Sequence, residues 1–156
     1  MDNTFDAIVV GTGISGGWAA KELTEKGLKT LVLERGRMIN HIDDYHTANM
    51  DPWDFKGGDT ITQDAYKRQP KQSRTGYVNS ESSRHFFVDD LDHPYNDDEN
   101  KFNWIRGYHV GGRSLTWGRH TYRLSEFDFE ANLKDGIAVD WPIRYMDIAP
   151  WYDYVE

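Results

Sequence analysis

The sequence predicts an α/β fold organised around a parallel sheet, and three observations carry that prediction. Phe5-Asp6-Ala7-Ile8-Val9-Val10 is a short apolar run rich in β-branched residues. Gly11-Thr12-Gly13-Ile14-Ser15-Gly16 follows without a gap and leads into a helical stretch, Gly17 to Lys26. Thr30-Leu31-Val32-Leu33-Glu34 is a second strand-like run that closes on an acid. Strand, glycine loop, helix and strand in that order make a βαβ unit, whose two strands lie parallel.

Each element has a local cause. The first run is continuous rather than alternating, which predicts a strand covered on both faces. In the helix, Ala19, Ala20 and Leu23 form one face, while Glu22 and Lys26 stand one turn apart on the other. Gly27 is placed to end that helix. Gly11 suits the tight turn, Gly13 a close approach of backbone to a pyrophosphate, and Gly16 close packing of helix on strand. The helix start, at Ile14 and Ser15, offers free N–H groups to the phosphates. Glu34 stands 18 residues beyond Gly16, at the tip of the second strand. A carboxylate there accepts a hydrogen bond from a ribose 2′-OH and disfavours a 2′-phosphate, which selects NAD or FAD over NADP. The bland alternative is a glycine turn that binds no ligand; the ordered strand–loop–helix–strand–acid context argues against it.

After Arg35-Gly36 no second crossover helix follows. Residues 37–103 lack sustained periodicity, with Trp53, Phe55, Tyr66 and Tyr77 scattered among Gly57-Gly58 and Pro70. Long irregular segments of this kind are functional or disordered. Flavoprotein variants of the dinucleotide fold insert a second lobe at this point, which favours FAD. Lys67 to Arg74 is a basic stretch that reads as a solvated loop. His85-Phe86-Phe87-Val88 is the one strand-like run of the segment. Asp89 to Glu99 holds six acids with no Lys or Arg. It lacks the spacing of a calcium loop, so it reads as a solvated turn and no metal is assigned.

Composition narrows the class further. A chain of 156 residues has room for one domain. Leu, Ile, Val and Phe make up only about a fifth of it, near the range of disordered chains. Six Trp, nine Tyr and seven Phe point the other way, toward a core whose remainder lies elsewhere. No apolar run reaches the length of a membrane-spanning helix. The acidic start Met1–Asp6 runs directly into a strand, so no signal peptide is in view; the cytoplasm is the default location and the periplasm the alternative. A net charge of −8 argues against a nucleic-acid surface. The absence of Cys excludes disulfides and thiolate metal sites.

A second informative block is Trp104-Ile105-Arg106-Gly107-Tyr108-His109-Val110-Gly111-Gly112-Arg113-Ser114-Leu115-Thr116-Trp117-Gly118. Gly111-Gly112 ahead of Arg113-Ser114-Leu115 predicts a close backbone approach feeding a turn or short helix. An aromatic-flanked glycine pair suits a flat, polar-edged ligand. Near the end, Asp140-Trp141-Pro142-Ile143 leads into Tyr145–Ala149, and Pro150 is placed to begin a helix over Trp151–Glu156.

Three blocks together resemble the glucose-methanol-choline (GMC) flavoprotein oxidoreductases. They are GTGISG with its distal LERG, RGYHVGGRSLTWG, and DWPIRYMDIAPWYDYVE, in the family's order across nearly the whole chain. The Ser114-x-x-Trp117 pattern is closer to the sugar-oxidising branch, such as pyranose oxidases and gluconate or glucoside dehydrogenases. The resemblance implies a Rossmann-like FAD-binding fold of the GMC and glutathione-reductase type, incomplete in this chain. It implies FAD on Gly11, Gly13, Ile14, Ser15, Gly16, Glu34 and Arg35, with Val110, Gly111, Gly112, Ser114, Leu115, Trp117 and Gly118 along the flavin. Arg106 is then a phosphate or flavin contact.

Pyranose oxidases carry a flavin-linked histidine where this chain has Thr116, so the resemblance implies non-covalent FAD. His109 and His120 do not match the family's catalytic histidine and are read as structural or supporting neighbours. The implied organisation is a first βαβ unit over 1–36, an irregular lobe over 37–103, and a flavin-contacting segment with the start of a helix over 104–156. Catalytic residues and the substrate domain are expected beyond Glu156, so this stretch alone is expected to be inactive. The implied reaction is hydride transfer from a CH–OH group of a sugar or alcohol to flavin, with oxygen, a quinone or a cytochrome open as acceptor. Two other readings stand beside it: a non-catalytic flavoprotein-like binding module, and an NAD-linked dehydrogenase domain.

Overall fold

The computed structural model describes residues 3–76 and 79–156. Met1, Asp2 and, of the scattered aromatics, Tyr77 lie outside the described residues. The chain divides into two units, Met1–Trp117 and Gly118–Glu156, with the boundary inside the third segment that the sequence marks out.

The first unit opens with β1 (Ala7–Val10), α1 (Ile14–Glu25) and β2 (Thr30–Leu33). The strands pair in parallel, Ala7 opposite Thr30 through Val10 opposite Leu33. The sheet has these two strands among the described residues, so the expectation of strands covered on both faces is not met. Val9, which turns toward the helix, is buried, whereas Ile8 and Val10 are 61% and 81% exposed. Alternate residues of a strand point to opposite faces, and only one face here is packed.

α1 ends as its sequence dictates. Gly27 takes φ +82°, and the N–H groups of Gly27 and Leu28 donate to the carbonyls of Thr24 and Leu23 at 2.9 and 3.1 Å. This is a Schellman closure, which satisfies carbonyls that have no partner further along the helix. Lys26 pairs with Glu22 at 3.5 Å, one turn back.

The middle of the chain is built from short turns around a core that is as polar as it is apolar. α2 (Gln63–Arg68) is its one α-helix among the described residues, joined by single 3₁₀ turns. Gln72 is fully buried: its side-chain carbonyl accepts from the Arg106 N–H at 2.8 Å, and its amide donates to Asp90 at 2.8 Å and to the Trp104 carbonyl at 3.1 Å. His85–Val88 is not a strand. Arg84–Phe86 forms a 3₁₀ turn, because the Gln69 side-chain amide collects the carbonyls of Arg84, Phe87 and Val88 at 3.1–3.2 Å. Only Val88 makes a strand-like contact, donating to the Arg106 carbonyl at 2.9 Å.

The basic and acidic stretches are not two separate solvated loops. Arg68 pairs with Asp89 and, at 2.9 Å, with Asp92; Lys71 pairs with Asp97 at 3.0 Å. Each stretch supplies the counter-charge of the other.

The second unit contains α3 (Glu126–Asp135) and α4 (Tyr145–Val155). α3 starts where Asp128 accepts from the Ser125 N–H and hydroxyl at 2.7 and 2.8 Å, a capping arrangement. Pro150 lies inside α4 rather than at its start. Asp147 accepts from the Arg144 N–H at 2.8 Å, which sets the first turn five residues earlier. The missing N–H of Pro150 deprives the Met146 carbonyl of its helical partner, and Met146 lies at the exposed surface.

Candidate functional site

The site grows from the end of β1. The Gly11 N–H donates to the Leu33 carbonyl at 2.7 Å, extending the ladder one step past the strands. That step sets the glycine loop beside Glu34. The carboxylate oxygen Oε2 of Glu34 accepts from the Thr12 N–H at 2.8 Å and from the Thr12 hydroxyl at 2.5 Å. Its Oε1 accepts from the Gly36 N–H at 2.9 Å. Gly13 precedes α1 as an extended residue, with no side-chain cap and no acid in the first turn. The first N–H groups of the helix are therefore left without a capping side chain, in a position that favours an anion.

Two close approaches require glycine. A Cβ on Gly16 would lie 2.0 Å from the Gly11 carbonyl oxygen. A Cβ on Gly36 would lie 2.0 Å from both the His109 nitrogen and the Tyr108 carbonyl carbon. The second contact exists because the 104–118 block runs beside the end of β2. Arg37 and His109 form a parallel bridge, in which Arg37 N–H donates to Tyr108 at 3.3 Å and Val110 N–H to Arg37 at 2.9 Å.

The bridge delivers the second glycine pair to the first loop. Gly111 takes φ +91°, and its N–H donates to the Thr12 hydroxyl at 3.0 Å. Gly112, at φ +57°, sits close enough to Gly13 that a Cβ would be 3.0 Å from the Gly13 Cα. A 3₁₀ turn, Gly112–Leu115, follows, and Ser114 donates to the Gly111 carbonyl at 2.5 Å. Between the turn and the start of α1 lies an open groove of about 280 Å³, lined by Thr12, Gly13, Ile14, Gly17, Trp18, Lys21 and Ser114.

The structure thus brings together Gly11, Gly13, Ile14, Gly16, Glu34, Gly111, Gly112 and Ser114. Ser15 lies exposed in the first turn of α1, and Val110 and Leu115 are half-buried in the second turn. The Arg35 guanidinium lies 3.9 Å over the Tyr108 ring. Trp117 is partly exposed, and Gly118 falls in the second unit.

Arg106 is placed differently. It is 5% exposed, donates to the Tyr108 hydroxyl at 2.8 Å and the His93 carbonyl at 2.5 Å, and faces Asp90 at 3.7 Å. The faces of Tyr95, Trp104 and Tyr108 surround its guanidinium. These bonds make it a cross-link of the middle segment. His109 is buried, with Nε2 3.2 Å from the Phe86 carbonyl. Burial pushes its pKa below the usual imidazole value, which holds it neutral near pH 7, with Nε2–H as the donor.

Sequence reasoning missed Thr12, Trp18 and Lys21. Ile14, Trp18 and Lys21 share one helix face at i, i+4 and i+7, a legible signal. Nothing in the glycine pattern constrains Thr12.

Glu34 is the charged centre of this arrangement. Its pKa is drawn down to about 2, first by the Thr12 hydroxyl and then by the Gly36 N–H. The folded value lies below the unfolded one, so the stabilisation is fully present above about pH 4.5 and is lost as pH falls toward 2. With partial exposure taken into account, its worth at neutral pH is about 1 to 2 kcal/mol. Acid unfolding followed by circular dichroism is expected to be shallower between pH 4.5 and 2 for Glu34→Gln than for the native chain. Glu34→Gln is also expected to be less stable at pH 7.

No family model matches the chain. Along nearly its whole length it is similar to two oxidases. It is 26% identical over 159 residues to the 6'''-hydroxyparomomycin C oxidase of Streptomyces lividus. It is 26% identical over 158 residues to the paromamine 6'-oxidase of Streptomyces fradiae. Each match takes in 99% of this chain and 23% of the relative, so the chain spans about a quarter of the length of these curated relatives.

Proposed function

We propose that this chain is the FAD-binding part of an oxidoreductase that takes hydride from a CH–OH group of a sugar or glycoside. The observation that carries the reading is the meeting of two glycine turns beside one groove, with the ionised Glu34 bonded to Thr12 of the groove lining. The residues fit a dinucleotide. A Cβ on Gly13 would meet nothing within 4 Å, which leaves open space beside the uncapped helix start. A Rossmann-like arrangement assigns that space to the pyrophosphate.

Gly11, Gly13, Ile14, Ser15 and Gly16 hold the phosphates through backbone, while Glu34, with Arg35 beside it, takes the adenosine ribose. Oε1 of Glu34 accepts from the Gly36 N–H, and a carboxylate oxygen so bonded keeps acceptor capacity for a hydroxyl. Val110, Gly111, Gly112, Ser114, Leu115 and Trp117 are assigned to the flavin side, and Arg106 cross-links the middle segment behind them. Thr116 in place of a linking histidine favours non-covalent attachment. Bound FAD would supply the hydride acceptor, and this chain's residues would orient it and offer backbone N–H groups to its phosphates. The base that takes the hydroxyl proton and the substrate-binding surface belong to residues outside this chain. Support for a glycoside substrate comes from the similarity to two oxidases named for paromamine and a hydroxyparomomycin.

The full protein is expected to purify yellow, to release FAD on heating, and to lose its flavin absorbance anaerobically with an amino sugar glycoside but not with NADH. A folded protein that takes up no FAD overturns the reading. Bleaching by NADH in place of a glycoside overturns the substrate class.

A further inference from the structure

Thr12 occupies a position that the glycine motif leaves unspecified, yet its hydroxyl bonds both to Glu34 and to the second glycine turn. Its hydroxyl has one proton and spends it on Glu34 Oε2 at 2.5 Å. The same oxygen accepts the Gly111 N–H at 3.0 Å, across 99 residues of chain. A hydroxyl can donate and accept at once, and each bond polarises the other. With its single proton held by an anion, the Thr12 oxygen becomes the better acceptor for Gly111. Its own N–H is held by the same carboxylate at 2.8 Å, so the side chain has little freedom to turn away.

We infer that Thr12 is a positioning residue: it transmits the presence of the Glu34 carboxylate to the second glycine turn and holds that turn against the groove. The ribose end of the site and the Gly111–Ser114 end are thereby coupled through one hydroxyl. The inference rests on the flavin reading only for the identity of the ligand. The coupling itself is a property of the chain.

Thr12→Val keeps the shape of the side chain and removes the hydroxyl; Thr12→Ser keeps the hydroxyl. In the full protein without cofactor, amide exchange of residues 109–117 is expected to rise about tenfold in Thr12→Val, the scale of one lost hydrogen bond. It is expected to stay within about twofold of native in Thr12→Ser, whose hydroxyl keeps the bond. The affinity for FAD, read by flavin fluorescence, is expected to follow the same order. Glu34→Gln, which removes the anion, is expected to speed exchange at 111–117, a stretch to which Glu34 makes no hydrogen bond among the described residues. Unchanged exchange in Thr12→Val overturns the inference, as does equal loss in Thr12→Ser. Should Thr12→Val fail to fold, the Glu34→Gln and Thr12→Ser pair decides by the same exchange readout. Native protein that takes up no FAD refutes the flavin reading, and the exchange comparison still decides the coupling.

Discussion

Gly36→Ala is expected to detach the second glycine turn from the site and to lower the stability of the first unit by about 3 kcal/mol. Adding atoms to a packed interior costs about 1 to 3 kcal/mol when side chains can shift aside. Here the obstacles are backbone atoms: the His109 nitrogen and the Tyr108 carbonyl carbon, both 2.0 Å from the new Cβ. Gly36 has no positive φ, so alanine brings no dihedral strain and the clash alone sets the effect. Relief requires the Arg37–His109 bridge to open, with loss of the Val110-to-Arg37 hydrogen bond. Gly111 then leaves Thr12, and FAD retention fails although the glycine loop itself is untouched. Denaturant unfolding and bound-flavin content check both halves of this expectation.

Gly16→Ala is expected to be of similar size but to act on the βαβ unit itself. Alanine in place of glycine within a helix ordinarily stabilises by about 0.5–1 kcal/mol. At Gly16 that gain is outweighed, because the Cβ would sit 2.0 Å from the Gly11 carbonyl oxygen. The start of α1 has to move away from the end of β1, which also shifts Gly13. A net loss of about 2 to 3 kcal/mol and loss of FAD binding are expected. The two variants separate in amide exchange: Gly16→Ala exposes β1 and α1, whereas Gly36→Ala exposes residues 108–116.

The first thirty-six residues were legible because their structure is decided locally. Continuous β-branched runs, a glycine loop and Gly27 specify β1, α1 and β2 with little help from distant residues. The middle segment was not legible, because polar residues hold it together over long separations. Gln72 reaches Arg106 across 34 residues, and no local pattern announces that a glutamine will be buried. The stretches 67–74 and 89–99 read as two solvated loops because their pairing is tertiary. Pro150 sits inside α4 rather than at its start because Asp147 sets the helix start through the Arg144 N–H. At the site, the glycines and Glu34 were visible as a pattern. Thr12 was not, because its role depends on Gly111 arriving from 99 residues away.

On the proposed reading, a dinucleotide phosphate occupies the open space at Gly13. Gly13 has φ −65° and no atom within 4 Å of a built Cβ, so alanine fits the cofactor-free chain without strain. The measurement is the flavin-to-protein ratio of Gly13→Ala beside the native protein, both in full-length form. The native protein is expected to hold about one FAD per chain, as a single dinucleotide site provides. Gly13→Ala is expected to keep its thermal midpoint within a few degrees and to bind FAD at least tenfold more weakly, the scale of about 1.4 kcal/mol. A Gly13→Ala protein that retains FAD as tightly as the native one would place the phosphates elsewhere.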